Sequence, residues 1–453
     1  MGIKDIFAYL ISEVKKMQEM IGRQVVVDEK EKNLLKGNIT LRPAMTRNEK
    51  IRCTRCGSSY AKDQYQLQNG ANYCPNCIQF GRITSFDWLA SEDIKEKMPR
   101  EVAFTWKGQL TSAQNHVSKS LVKNVTLKKN SLVWAVTGSG KTEMIFPVIQ
   151  AVLSTGGRVA IASPRIDVCR ELFPRLEAVF PKENALLLYG DSEEKYRFSY
   201  LTICTIHQFA NFYHAFDLVV IDEIDAFPYE GDLLLHFFVS QAIKKDGQFI
   251  YLTATPPNHL LEEIKDDFSI EKLPIRFHKR PLIVPELIWY ENWQHCYSKR
   301  RRLKKFISYL NELLIDNDVL VFCPSISYMQ ALYHKVKLFL PEMEMTSVSS
   351  QDERREEKVQ NMRDKKYRVL FTTTILERGV TFERVSVIIM GSNHPVYSKS
   401  ALVQIVGRVD RKGEFHNGRA IFFYNQMTTA IKSACVEIKE MNQLAKRWQT
   451  DAM

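Results

Sequence analysis

SLVWAVTGSGKTEMIFPVI, residues 131–149, decides how the chain folds around it. An apolar, partly β-branched run, Ser131 to Val136, passes without a break into Thr137-Gly138-Ser139-Gly140-Lys141-Thr142, and an apolar helical stretch follows. A strand feeding a glycine-rich turn and then a helix makes a phosphate cradle. The glycines let backbone N–H groups curl around an anion, and the helix N-terminus adds partial positive charge. In such a cradle Lys141 neutralises the β/γ charge of ATP and the Thr142 hydroxyl binds Mg²⁺. Thr137, Gly138, Ser139, Gly140, Lys141 and Thr142 are therefore the candidate nucleotide-binding residues. The strict pattern begins with glycine at 135, where this chain has Ala135.

Working outward, SLVWAV, RVAIAS, ALLLYG, LTICT, DLVVID and QFIYLTAT alternate with amphipathic stretches. Buried apolar strands separated by helices predict a parallel α/β sheet with its ligands at the carboxyl ends of the strands. DLVVID delivers Asp222 and Glu223 to that edge. The first suits Mg²⁺ held through water, and the second suits orienting and activating an attacking water. Upstream, Trp106-x-Gly108-x-Leu110-Thr111-x-x-Gln114 offers a glutamine to read an adenine edge and an aromatic ring to stack on it. A helix-capping Thr111 with a solvated Gln114 is the alternative.

Four cysteines fall as Cys53-x-x-Cys56 and Cys74-x-x-Cys77, with seventeen residues between the pairs. That is the zinc-ribbon spacing, four thiolates around one Zn²⁺. No general base stands nearby, so the metal is expected to hold a fold. A CxxC redox pair or chance core cysteines explain the two matched pairs, flanked by Arg52, Arg55 and Asn76, less well. The other five cysteines are scattered through apolar segments and read as buried hydrophobes in a reducing compartment.

Lys+Arg exceed Asp+Glu by 63 to 52 over 453 residues, a net charge of +11 that suits a polyanionic partner, as would an ordinary basic protein with none. No run of about twenty apolar residues occurs, so no segment is expected to span a bilayer. Residues 1–20 alternate apolar and charged residues at helical spacing, an amphipathic helix that packs on its own protein or on a membrane surface.

In this order the motifs resemble those of superfamily 2 helicases and translocases, over residues 104 to 430. Leu252-Thr253-Ala254-Thr255-Pro256 looks like motif III, Ala162-Ser163-Pro164-Arg165 like motif Ia, and Thr202-Ile203-Cys204-Thr205 with His207-Gln208 like motif Ic. In a second lobe, VLVFCPS (319–325) looks like motif IV, VLFTTTILERGVTF (369–382) like motif V and Gln404-x-x-Gly407-Arg408-x-x-Arg411 like motif VI. The resemblance implies two RecA-like parallel-sheet lobes in tandem behind a zinc-ribbon-like module. The divisions it implies are a helical region over 1–48, the four-cysteine module over 49–100, an ATP-binding lobe over 101–280 and a second lobe over 281–453. It also implies nucleic-acid contacts at Ser163, Arg165, Thr205, Thr373 and Thr374, a nucleotide approach at Gly379, and Arg408 with Arg411 on one helix face reaching the γ-phosphate. Asp225 departs from it, standing where many relatives have His.

More narrowly, cysteines that precede the P-loop, DEID followed by Ala226-Phe227-Pro228, and no large C-terminal extension resemble the ComFA-type competence translocase. That resemblance implies a bacterial cytoplasmic ATPase, peripheral at the inner face of the cell membrane, that draws single-stranded DNA through an uptake channel beside a phosphoribosyltransferase-like competence protein. A DNA repair or replication-restart helicase that unwinds duplexes is the second reading, and a non-catalytic DNA-binding scaffold the third. Lys141, Asp222, Glu223 and Arg411 speak against the last.

Overall fold

The structure is a computed structural model that describes residues 20–35, 37–92, 97–190, 192, 194–378, 382–411 and 417–450. Residues 1–19 of the expected N-terminal helix lie outside the described residues, as does Gly379.

The chain begins with β1 (Gln24–Val27), α1 (Glu29–Leu34), β2 (Ile39–Pro43), β3 (Met45–Arg47), β4 (Ile51–Cys53), β5 (Ser59–Tyr60) and β6 (Trp88–Glu92). These strands make two antiparallel three-stranded sheets, β1-β6-β2 and β3-β4-β5. Where a helical region was expected before residue 48, the described part holds strands and one short helix. The reason is remote pairing: β6, which lies beyond the cysteines, hydrogen-bonds to both β1 and β2, and no local window contains it.

The first large sheet follows from α2 (Ser112–Thr126), β7 (Asn130–Ala135), α3 (Lys141–Ser154), β8 (Val159–Ser163), α4 (Ile166–Val179), β9 (Leu186–Leu188), β10 (Leu201–Thr205), β11 (Phe216–Asp222), α5 (Leu233–Ala242), β12 (Ile243–Thr253), α6 (Asn258–Ile264) and β13 (Phe268–Leu273). All seven strands are parallel, in the order β13-β7-β12-β11-β8-β10-β9. Successive strand residues point to opposite faces, so Leu132 enters a core shared with α5 and the cysteine module while Val133 enters one shared with α2, α3 and α4.

The second sheet is built from β14 (Glu286–Trp289), α7 (Arg300–Leu314), β15 (Asp318–Phe322), α8 (Ile326–Phe339), β16 (Met345–Val348), α9 (Arg355–Arg363), β17 (Val369–Thr372), β18 (Val385–Met390), α10 (Lys399–Val406), β19 (Ala420–Tyr424) and α11 (Thr429–Thr450). It too is parallel throughout, in the order β14-β19-β18-β15-β17-β16. The expected two-lobed α/β architecture is therefore present. Near its end α11 returns to the first lobe, where Trp448 meets His116 edge-on at 5.8 Å. Among the described residues no helix is long and apolar enough to cross a membrane.

The N-terminal sheet is fastened to the first lobe by buried polar groups. Gln24 Nε2 donates to the carbonyls of Ala210 (3.0 Å) and Phe212 (3.3 Å). Arg158, fully buried, donates from Nη1 to Gly22 O and from Nε to Ser199 O, both at 3.0 Å, with its guanidinium over the rings of Phe198 and Phe216. Replacing Arg158 by Met strips two buried carbonyls of their donor, which should cost about 2 kcal/mol. The expected outcome is a lower first thermal transition and earlier proteolytic release of the N-terminal sheet. An unchanged transition and digestion pattern would contradict this account of the junction.

Candidate active site

A cavity of about 630 Å³ opens between the lobes at the carboxyl ends of β7 and β11. Thr137 to Thr142, Gln114, Trp106, Asp222, Glu223, Gln404, Arg408 and Arg411 all line it. Residues spread over some three hundred positions of sequence thus converge on one space.

The turn after β7 owes its shape to backbone conformation. Gly138 and Gly140 take φ of 78° and 74°, and Gly140 is the N-cap residue of α3, so Lys141 and Thr142 open that helix. A Cβ at Gly140 would also lie 2.4 Å from Gln114 Nε2. Thr137 Oγ1 and Ser139 Oγ are buried without a hydrogen-bond partner, and they fit a cradle for phosphate oxygens. Ala135, the departure from the strict pattern, is a fully buried strand residue before the turn begins.

Gln114 combines features of both sequence readings. It closes a capping box with Thr111, accepting from the Thr111 N–H at 2.9 Å, and its Nε2 donates to Ser139 O at 2.7 Å. It is 2% exposed, so the solvated alternative is corrected: the same side chain caps α2 and buttresses the turn. Trp106 packs edge-on against Phe146 at 5.6 Å, and its indole lies over Gly108, where a Cβ would stand 2.5 Å from the ring.

At the end of β11, burial and the neighbouring Glu223 charge push the Asp222 carboxyl up to about 6 against the pull of Lys141. Glu223 adopts a left-handed φ of 59°, a conformation worth roughly 1–3 kcal/mol of strain, and Glu223 Oε2 is buried without a hydrogen bond. Arg378 Nη1 lies 3.7 Å from that oxygen. Together these groups offer a divalent cation a carboxylate and an attacking water a base.

Arg408 and Arg411 do not share a helix face as expected. α10 ends at Val406, and both arginines lie on or just after the turn that follows. Gly407 packs tightly on the first lobe at this point, since a Cβ there would stand 2.1 Å from Thr137 Oγ1 and 2.7 Å from Thr137 Cβ. Arg408 Nε donates to Glu377 O at 3.1 Å while Nη1 is buried without a partner. Burial and the charge of Arg411 push the Arg408 guanidinium down to about 9.

Asp225 is the junction between the lobes. Its carboxylate accepts from Thr253 Oγ1 (2.8 Å), Thr255 Oγ1 (2.7 Å), Ser400 Oγ (2.8 Å) and Arg378 Nη2 (2.6 Å). One aspartate therefore joins the strand-end carboxylates to both threonines of Leu252–Pro256 and to the second lobe. Arg378 went unassigned in the sequence, although its place inside LERGV was a signal. Arg165 faces Glu377 across the cleft at 3.6 Å. Ser163 and Thr205 close β8 and β10 as buried residues, and Thr373 and Thr374 follow β17 half-buried.

Cys53, Cys56, Cys74 and Cys77 are buried with their sulfurs all within 4.8 Å of one another, including pairs at 3.8 and 3.4 Å. A tetrahedral ion with sulfurs at about 2.3 Å sets them about 3.8 Å apart, so the cluster fits zinc. Buried Arg55 donates from Nε to Cys77 Sγ at 3.3 Å, which sets positive charge beside four thiols. The module rests on the first lobe through Phe80, edge-on to Phe238 at 5.1 Å and stacked with His207 at 6.2 Å.

Comparison with known proteins agrees with this geometry. Residues 111–264 match the DEAD/DEAH box helicase family, 298–413 the helicase conserved C-terminal domain, and 11–91 the competence protein ComFA N-terminal domain. The chain is 40% identical over 406 residues to competence protein ComFA of Streptococcus pneumoniae, covering 89% of this chain and 93% of that one. It is 36% identical over 426 residues to ComFA of Bacillus subtilis, covering 91% and 90%. Among solved structures, Saccharomyces cerevisiae Dbp5 bound to RNA and ADP BeF3 is similar in fold, with a TM-score of 0.54, 16% identity, and coverage of 72% of this chain and 90% of that one.

Replacing Arg378 by Met leaves the buried Asp225 carboxylate with three hydroxyl donors but no opposite charge, a change that should cost roughly 3–5 kcal/mol. With Arg378 present, desolvation is outweighed and Asp225 is held well below the usual carboxylate range. Its stabilisation is present above the unfolded carboxylate pKa and fades as pH falls toward the depressed folded value. Without Arg378, burial raises the folded pKa and the sign reverses, so the variant's deficit should shrink between about pH 7 and about pH 5. Thermal melts at the two pH values check this, and an equal deficit at both contradicts it.

Proposed function

This chain belongs to the ComFA family of competence proteins and is a superfamily 2 helicase-class ATPase, and from that premise we propose that it moves single-stranded DNA in the uptake step of transformation. The observation that carries the reading is the single cavity in which Lys141, Asp222 and Glu223 of one lobe meet Arg408 and Arg411 of the other. Nucleotide bound there touches both lobes, so ATP favours the closed cleft and hydrolysis releases it.

In this reading Lys141 and the backbone N–H groups of residues 138–142 hold the β- and γ-phosphates. Thr142 and Asp222 hold Mg²⁺, which supplies charge neutralisation and orientation of the phosphates. Glu223 orients water in line with the γ-phosphorus and takes its proton as the new P–O bond forms and the bond to the β-γ bridging oxygen breaks. Arg408 and Arg411 stabilise the negative charge on the transferred phosphoryl group, an effect worth roughly 10³ to 10⁵ in rate. Arg165, Thr373 and Thr374, which keep some exposure, would grip the sugar-phosphate backbone, contacts that carry no base identity, whereas buried Ser163 and Thr205 shape the strand ends behind them. Asp225 then passes cleft closure to Thr253 and Thr255. The thiols of Cys53, Cys56, Cys74 and Cys77 hold a structural zinc, and the module they stabilise, with the phosphoribosyltransferase-like protein and the membrane channel, belongs to the uptake assembly at the inner face of the membrane.

Steady-state ATP hydrolysis with single-stranded DNA, duplex DNA or RNA tests the reading. Single-stranded DNA should stimulate by about tenfold or more, Lys141→Ala should abolish hydrolysis, and stimulation should fall steeply with salt because phosphate contacts release counterions. Equal stimulation by RNA, or displacement of a duplex strand as the main activity, would replace translocation with the unwinding reading.

The metal assignment has its own measurement. Purified protein should carry about one zinc per chain, and Cys74→Ser should lose it together with the protection of residues 51–80 from proteolysis. A folded chain without stoichiometric zinc excludes the assignment.

A further inference from the structure

Arg276 is 1% exposed, lies three residues beyond the end of β13, and has no part in lining the cavity. Its guanidinium nevertheless reaches into the second lobe. Nη1 donates to Val409 O at 3.0 Å and to Asp410 O at 3.1 Å, and Nη2 donates to Gly407 O at 3.3 Å. These carbonyls lie on the turn that ends α10 and carries Arg408 and Arg411. They lie just past Val406, the last helical residue, and a buried carbonyl outside a regular element needs a donor, which Arg276 supplies. Burial nonetheless pushes the Arg276 guanidinium down to about 10, opposed by the charge of Asp410.

The next two residues extend the connection. Phe277 N–H donates to Gly138 O at 2.9 Å, which ties the same segment to the phosphate-binding turn. His278 Nε2 lies 3.0 Å from Asp410 O, and its Nδ1 accepts from the Arg280 N–H at 3.3 Å. A carbonyl only accepts, so the ring is the tautomer with its proton on Nε2. Three consecutive residues of the connector thus hold the phosphate turn on one side and the arginine turn on the other.

We infer that Arg276 is a positioning residue for hydrolysis: by binding the carbonyls of residues 407, 409 and 410 it sets the distance from Arg408 and Arg411 to the phosphate-binding turn. The connector is then a strut that transmits closure. This inference rests on the ATPase reading of the cavity and on the assignment of Arg408 and Arg411 to the γ-phosphate.

Full-length Arg276→Met, Arg276→Lys, Arg411→Ala and the double variant Arg276→Met with Arg411→Ala separate the possibilities. Arg276→Met should keep the affinity for a fluorescent ATP analogue within about threefold and lower kcat by about tenfold or more, while Arg276→Lys restores a good part of it. The double variant should be no slower than Arg411→Ala alone, because both changes remove one function. If Arg411→Ala is slow while Arg276→Met keeps kcat within about twofold of the parent, the inference about Arg276 falls and the active-site reading stands. If Arg411→Ala hydrolyses at the parental rate, the reading of the arginine pair falls and this inference with it.

Should Arg276→Met fail to fold, hydrogen exchange on the unmodified protein decides. A non-hydrolysable ATP analogue should protect residues 273–279 and 405–411 together, and independent responses of the two segments overturn the proposal.

Discussion

A carboxylate buried between two sheets must be compensated, and at Asp225 the compensation comes from the other lobe. Its side chain takes hydrogen bonds from two threonines of the first lobe and from Ser400 and Arg378 of the second. Removing either lobe from this contact would leave a charge in a medium that solvates it poorly. The closed cleft, the meeting of the phosphate turn with the arginine turn, and the shape of the cavity all depend on this satisfied charge. Aspartate at the fourth position of Asp222-Glu223-Ile224-Asp225 accords with the match to the DEAD/DEAH box helicase family.

Around that junction the contacts are made by groups that are costly to bury alone. Arg276 spends its donors on backbone carbonyls of the opposite lobe. Arg158 holds Gly22 to Ser199 beneath the N-terminal sheet, and Arg55 faces the cysteine cluster and neighbouring carbonyls. In each case an arginine joins two pieces of chain that are separate in sequence. Its planar, multi-donor head satisfies several acceptors at once, which a lysine in the same place does less well. The cysteine module also lies against α5, directly downstream of Asp225, and against the turn that follows Thr205. Its position connects it with two of the helicase-like motifs of the first lobe.

Much of this was legible beforehand because the chemistry is local. A strand, two glycines, a lysine and a threonine form a phosphate turn from contiguous residues, and the strand pattern gives the first parallel sheet, while the second lobe follows from its resemblance to helicase motifs. The misreadings have one origin. β1 and β2 were taken as part of a helical region because their partner β6 lies past the cysteines. Arg408 and Arg411 were set on a helix because nothing near them shows that Gly407 packs on Thr137. The solvated reading of Gln114 fails because its partner Ser139 lies 25 residues away, outside any local window.

By itself, then, the sequence determined the parallel α/β class of the first lobe, the phosphate turn, the strand-end carboxylates and the four-cysteine set, each encoded within a few residues of chain, and the order of its motifs implied the second lobe. Only the tertiary structure decided that Asp225 pairs with Arg378, that Arg276 holds the turn carrying Arg408 and Arg411, and that the cysteine module rests on the first lobe. Those contacts join residues far apart in sequence, and their identities follow from which buried charges and carbonyls are left to be satisfied once the two lobes have closed.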